Sequence, residues 1–337
     1  MNIVRFYKYS IVACLLLISL ISCNNKQVYQ FMEGKIYGTY YHISYEYSKD
    51  LGRDIIEEMK RVDNSLSIFN PSSLLSKLNN NEIDTVDVLF CRIYHLARKV
   101  YDISGGTYDI TIAPLVRAWG FGTQNESMPD SVKIDSLKKY VGMDKLILQD
   151  NHLMKNLPEI QIDASSVAKG LGVDLVAEYM DGKGIKNYMV EIGGEVRVKG
   201  QSDKKRTWRI GIDRPFDDVT AQSRQLQSVI AMDSGALATS GNYRNFYVHD
   251  GKKYAHTINP ITGYPMQLDI LGASVYTNSC AKADAYATAF MTLGYQKSKE
   301  IVEKDPELEA CLIYQDNKEL KIWFSEGLKE KVIPQTK

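Results

Sequence analysis

The sequence has no excess of charge of one sign: in 337 residues, Lys plus Arg number 41 and Asp plus Glu number 41. A general nucleic-acid binder carries a basic surplus, so no nucleic-acid partner is expected. Proline is scarce, with 9 residues, and the 23 glycines follow no period, which excludes a collagen-like fibre. Only 5 residues are cysteine, too few for a disulfide-held miniprotein of this length. With 44% hydrophobic residues the chain is not a disordered tail. The common nucleotide signatures are missing too. There is no G-x-x-x-x-G-K-[ST], no G-x-G-x-x-G after a strand, no G-x-S-x-G and no H-E-x-x-H. Any nucleotide chemistry must use another architecture. The length supports a large core, as one large domain or two lobes.

What is present begins with a targeting segment. Arg5 and Lys8 precede an apolar stretch, Ile11 to Ile21, that ends in Leu20-Ile21-Ser22-Cys23. The stretch falls short of the roughly 20 residues a membrane span needs, and it reads as a secretory signal over residues 1–22. Leu-Ile-Ser-Cys resembles a bacterial lipoprotein box, in which Cys23 is lipidated and becomes the new N-terminus. An ordinary cleaved signal is the plainer alternative. Residues 23–30 then form a polar tether, and 31–330 the working domain. The expected location is the cell envelope, lipid-anchored to a bacterial membrane and facing the periplasm. Of the remaining cysteines, Cys91, Cys280 and Cys311 show no ligand-like spacing and read as buried free thiols, with one disulfide among the three as the alternative in an oxidising compartment.

Along the mature chain, Ile36 to Tyr47 reads as a strand. Apolar residues at 51, 55, 56, 59 and 62 predict a helix over 51–65, and a second amphipathic helix follows over 88–104. Residues 122–131 form a polar loop. Asp163 is a good N-cap for a helix over 163–181. Strands are predicted over 188–198 and 208–212, a small-residue helix over 279–293, and a final helix-strand pair over 295–324. Strands and helices mix without βαβ alternation, so the fold class is α+β.

Five stretches carry groups suited to chemistry. Ser104-Gly105-Gly106-Thr107-Tyr108-Asp109 would let backbone approach a planar ligand, although a helix C-cap running into a strand explains it as well. In Asp163-Ala164-Ser165-Ser166-Val167-Ala168-Lys169-Gly170 a carboxylate, a hydroxyl and an ammonium recur every third residue at a helix start, which suits a phosphate and its metal. A capping Asp and a solvated Lys is the simpler reading. Gly170 and Gly172 count against it, because paired helix glycines are costly unless close packing needs them. Ile192-Gly193-Gly194-Glu195 fits any hairpin. His256 precedes the turn Asn259-Pro260-Ile261-Thr262-Gly263 and is either a general base or a structural His. Asp284 and Thr288 share a helix face among alanines, which is hard-oxygen ligation suited to Mg²⁺, or an Asp answering the helix dipole.

In this order and behind such a signal, these segments resemble the ApbE family of FAD:protein FMN transferases, from about Tyr37 to Leu293. The resemblance implies a single large domain of two lobes with the active site in the cleft between them. It implies FAD as substrate, Mg²⁺ as cofactor, and transfer of FMN to a Thr or Ser hydroxyl of a target flavoprotein subunit with release of AMP. Carried over by position, Asp284, Thr288 and an oxygen of Ser166 would ligate Mg²⁺. FAD would lie against Tyr37, Ser73, Leu74, Leu75, Thr107, Tyr108, Asp109, Asp163, Lys169 and Ile258. His256, with Asp284, would carry catalysis as the base that deprotonates the acceptor. With water as acceptor the same site would make an FAD pyrophosphatase. A flavin-binding lipoprotein without catalysis is the reading from another class.

Overall fold

Tyr41, Ile43 and Tyr45 recur at every second residue and are all buried, the period of a strand with one covered face. In the computed structural model they belong to an antiparallel hairpin, β1 (Tyr29–Ile36) and β2 (Thr39–Glu46). The described residues are 28–121, 128–215, 226–241, 246–249, 252–255, 257–266 and 269–334. The strand expected over 36–47 is β2, and β1 precedes it. Tyr37 and Gly38 both take positive φ, 52° and 73°, and reverse the chain.

The first helix, α1 (Gly52–Leu66), buries Ile55, Met59, Val62 and Leu66, as the spacing predicts. Next come α2 (Leu74–Asn79) and α3 (Val88–Ile103), the latter capped by Asp87, whose side chain accepts from the Phe90 amide. No strand follows Gly106; Thr107 to Ile112 run irregularly into α4 (Ala113–Ala118) and α5 (Ser131–Lys138). A small hairpin, β3 (Leu146–Gln149) and β4 (His152–Lys155), precedes α6 (Ser165–Gly182). The helix starts later than the Asp163 cap predicts. The Asp163 amide donates to the Ile110 carbonyl at 2.7 Å, which ties residue 163 to the preceding loop. Its carboxylate accepts from the Ser165 amide at 2.8 Å, and Ala164 stands at the cap without a side-chain bond.

The remaining elements are β5 (Tyr188–Ile192), β6 (Glu195–Lys199), β7 (Trp208–Asp213), β8 (Leu226–Met232), β9 (Ser234–Gly241), β10 (Phe246–His249), β11 (Lys252–Ala255) and β12 (Ile270–Thr277). Then follow α7 (Cys280–Leu293), α8 (Tyr295–Lys304), β13 (Glu309–Asp316), β14 (Glu319–Phe324) and α9 (Glu326–Lys329). The expected final helix-strand pair thus carries two strands.

Eight strands form one antiparallel sheet in the order β1-β2-β5-β6-β9-β12-β13-β14. On one face the helices bury the largest apolar cluster, which includes Phe90, Ile93, Val167, Leu171, Val275, Ala287 and Phe290. On the other, the β7–β8 hairpin lays Trp208, Ile210, Ile230 and Met232 against Val196, Val198, Leu237 and Ile313. Helices and an antiparallel sheet in separate layers make this an α+β domain. Cys280 and Cys311 are buried free thiols, whereas Cys91 is free but only half-buried.

Candidate functional site

Two helices with small residues at their contact build the site. A Cβ on Gly170 would sit 2.4 Å from the Cys280 carbonyl oxygen and 2.7 Å from the Ala281 Cα. Only hydrogen fits there, so Gly170 serves close packing of α6 against α7. A Cβ on Gly172 would meet the Tyr37 ring at 2.8 Å. The crossing is fixed from within by Asp174, which is fully buried. Its carboxylate accepts from the Cys280 amide (2.9 Å), the Ala281 amide (3.0 Å), the Ser279 hydroxyl (2.7 Å) and Arg197 (2.6 Å). An acid on α6 thus caps the start of α7.

This packing brings the expected metal ligands to one place. Asp284 is buried, and its Oδ2 accepts from the Gly170 amide at 3.1 Å. Lys169 stands 3.9 Å from the same oxygen. Asp284 Oδ1 takes no hydrogen bond among the described residues. Thr288 Oγ1 lies 3.2 Å from Ser240 Oγ, and Ser166 Oγ lies 2.9 Å from the Tyr108 hydroxyl. Lys169 donates to Glu195 Oε1 at 2.5 Å. Glu195 is 3% exposed, and its other oxygen is buried with no hydrogen-bond partner among the described residues. Burial pushes the Glu195 carboxyl up to about 7, opposed by the Lys169 ammonium. Burial raises Asp284 as well, against the pull of Lys169 and the Gly170 amide. Two buried carboxylates face one ammonium, a deficit of positive charge.

The donor set fits a hard cation, since it offers a carboxylate oxygen without a partner and two hydroxyls, with no sulfur or imidazole. Among the described residues no group of three His, Cys, Asp or Glu could hold a metal ion.

The expected flavin contacts fall into two groups. Tyr108 joins the cluster through Ser166, and Thr107 is held beside it by the Thr292 hydroxyl at 3.1 Å. Tyr37 packs against α6 and donates its hydroxyl to the Met59 carbonyl at 2.5 Å. Ile258 is 4% exposed and packs among Leu115, Trp119, Ile134 and Val141. The other side chains make contacts within the fold. Asp109 accepts from the Thr111 amide and hydroxyl and the Met143 amide, so both its oxygens are engaged. Asp163 bonds Ser165. Ser73 caps α2 and donates to the Ser67 carbonyl at 2.6 Å. Leu75 is wholly inside the core, and Leu74 is packed against it. His256, Cys23 and residues 242–245 lie outside the described residues. The turn after His256 is described: the Trp119 indole donates to the Gly263 carbonyl at 2.7 Å, docking the turn on α4.

A family model for the ApbE family matches residues 37–312. The chain belongs to the ApbE family. It is 33% identical over 332 residues to the FAD:protein FMN transferase of Vibrio cholerae, covering 95% of this chain and 97% of that one. It is 30% identical over 316 residues to the protein of that name in Escherichia coli K12, covering 90% and 89%. Among solved structures it resembles the flavin transferase ApbE from Vibrio cholerae, with a TM-score of 0.79 and 30% identity over 90% of this chain and 99% of that one. The ApbE protein of Thermotoga maritima gives a TM-score of 0.79 at 26% identity, over 91% and 100%. For an ApbE-family chain, the additions to the expected site are Glu195, Ser240 and Asp174. Glu195 was signalled only by the Gly193-Gly194 pair before it. Asp174 was signalled by being the lone charge in the apolar run 170–177.

Proposed function

We propose that this chain transfers the FMN moiety of FAD to a Thr or Ser hydroxyl of a target flavoprotein, in a Mg²⁺-dependent reaction that releases AMP. What supports the reading is the meeting of α6 and α7, which sets Asp284 against the Gly170 amide and 3.9 Å from Lys169, with Ser166 one turn before Gly170 on α6 and Thr288 one turn after Asp284 on α7. The names of its ApbE-family relatives, FAD:protein FMN transferase, support the same reaction. Ser166, Asp284 and Thr288 would hold Mg²⁺, which when bound neutralises phosphate charge as a Lewis acid. Lys169 and the positive end of α6 would face the pyrophosphate. Tyr37, Thr107, Tyr108 and Ile258 would bound the flavin, within the cleft that the family resemblance implies.

In the reaction, His256 would take the proton of the acceptor hydroxyl. The acceptor oxygen bonds to the phosphorus of the FMN half as the bond from that phosphorus to the bridging oxygen breaks. AMP leaves with the bridging oxygen. In the same proposal residues 1–22 are an export signal. Cys23 carries lipid, and residues 23–30 tether domain 31–330 to an envelope membrane facing the periplasm. Among the described residues no helix is long and apolar enough to cross a membrane.

The test is product analysis. The protein is incubated with FAD, Mg²⁺ and a candidate acceptor subunit, and nucleotides are separated by chromatography. AMP in proportion to protein-bound flavin is expected. Free FMN equal to AMP would mean hydrolysis instead, and FAD that stays intact would mean binding alone.

A further inference from the structure

Lys169 has two acidic neighbours and does not divide itself evenly between them. Its ammonium is 2.5 Å from Glu195 Oε1 and 3.9 Å from Asp284 Oδ2. Attraction falls with distance, and a direct charge-assisted hydrogen bond outweighs a contact beyond hydrogen-bond range. Glu195 is itself held firmly. It opens β6 directly after Gly193 and Gly194, whose φ angles of 64° and 101° suit glycine. Gly193 leaves no room to move, since a Cβ there would lie 2.8 Å from Thr39 Cγ2 and 3.4 Å from Glu195 Oε2. The strand pairs with β5 on one side and β9 on the other. Lys169, by contrast, has a side chain 32% exposed and the length to swing.

We propose that Glu195 is a positioning residue for the divalent-cation site: by holding Lys169 it keeps the ammonium from neutralising Asp284. This rests on the reading of Asp284 as a metal ligand. Without the Glu195 charge, Lys169 would close onto Asp284, and an arriving cation would have to displace it. The buried Oε2, which has no partner among the described residues, fits this role, because only one Glu195 oxygen is needed to hold Lys169.

The experiment uses the full chain and Mn²⁺ alone, with binding followed by loss of the free-ion electron paramagnetic resonance signal. Glu195→Gln keeps the shape and removes the charge, and it is expected to weaken Mn²⁺ about tenfold, the usual scale for a group behind a ligand. Glu195→Asp should recover most of the affinity. The deciding variants are Lys169→Met and Lys169→Met/Glu195→Gln. If Glu195 acts by restraining Lys169, the Gln substitution costs little affinity once Lys169 is gone. An equal loss with and without Lys169 would overturn the inference, as would Glu195→Gln binding Mn²⁺ like the unmodified protein. If the unmodified protein and Lys169→Met bind no Mn²⁺, the metal reading falls and this inference with it. Binding by the unmodified protein that ignores Glu195 defeats the inference alone.

Discussion

Asp109 shows what burial does to a carboxylate that the fold holds fast. Burial pushes it up to about 6, even though three hydrogen bonds from Thr111 and Met143 favour the charged form. A folded value above the unfolded one gives stability that is full below about pH 4 and is lost as pH rises through about 6. Relative to Asp109→Asn, the native chain should therefore lose about 3 kcal/mol between those limits and then level off. Denaturant unfolding at several pH values checks this, and a flat difference would refute it. The residues proposed for the reaction should behave differently. Asp284→Ala should reduce transfer about 100-fold or more, because it removes the only carboxylate among the proposed ligands. Its FAD affinity should also lose its dependence on Mg²⁺, measured by flavin fluorescence. His256→Ala should keep FAD binding and slow transfer, which separates base from binding residue in a kcat against KM comparison.

At the scale of elements, the α6–α7 crossing decides whether the site exists. Gly170→Ala would drive a methyl into the Cys280 carbonyl, 2.4 Å away, and push the helices apart. A loss of about 1–3 kcal/mol is expected, with transfer impaired beyond what the lower stability explains. Asp174→Ala would leave Arg197 and two α7 amides without their buried partner, at a cost of about 3–5 kcal/mol. Chemical denaturation measures both. This scale also shows what could be read in advance. The helical periods and the α+β class were visible because each follows from patterns local in the chain. That Gly170 and Gly172 serve close packing was visible from their cost inside a helix, although Cys280, Ala281 and Tyr37, which they pack against, are distant in the chain. The roles of Glu195 and Asp174 were not visible, because their partners are distant. Lys169 and Glu195 are 26 residues apart, and Asp174 and the Cys280 amide 106. The Asp163 cap was misjudged for a similar reason, since a backbone bond to Ile110 delays the helix. Asp109 and Ser73 were placed at the flavin by the family resemblance; the structure adds that their polar side-chain atoms also close a loop and cap a helix.

Across the whole molecule, one antiparallel sheet carries the charged cluster at the start of β6, while the helices beside it supply the remaining groups. The even charge balance of the sequence fits the proposed reading. There an anionic cofactor would be met by a local ammonium, a helix start and a metal ion, without a broad basic surface. The central claim is that this local cluster drives transfer of FMN to protein. Its most direct measurement is the intact mass of an acceptor subunit that the Vibrio cholerae relative modifies in a parallel reaction. It is incubated with this protein, FAD and Mg²⁺, with Asp284→Ala alongside. The account predicts a gain in mass equal to one FMN residue, dependent on Mg²⁺ and absent with Asp284→Ala. An unchanged acceptor mass with no AMP formed, or an adduct that forms equally well with Asp284→Ala, would contradict it.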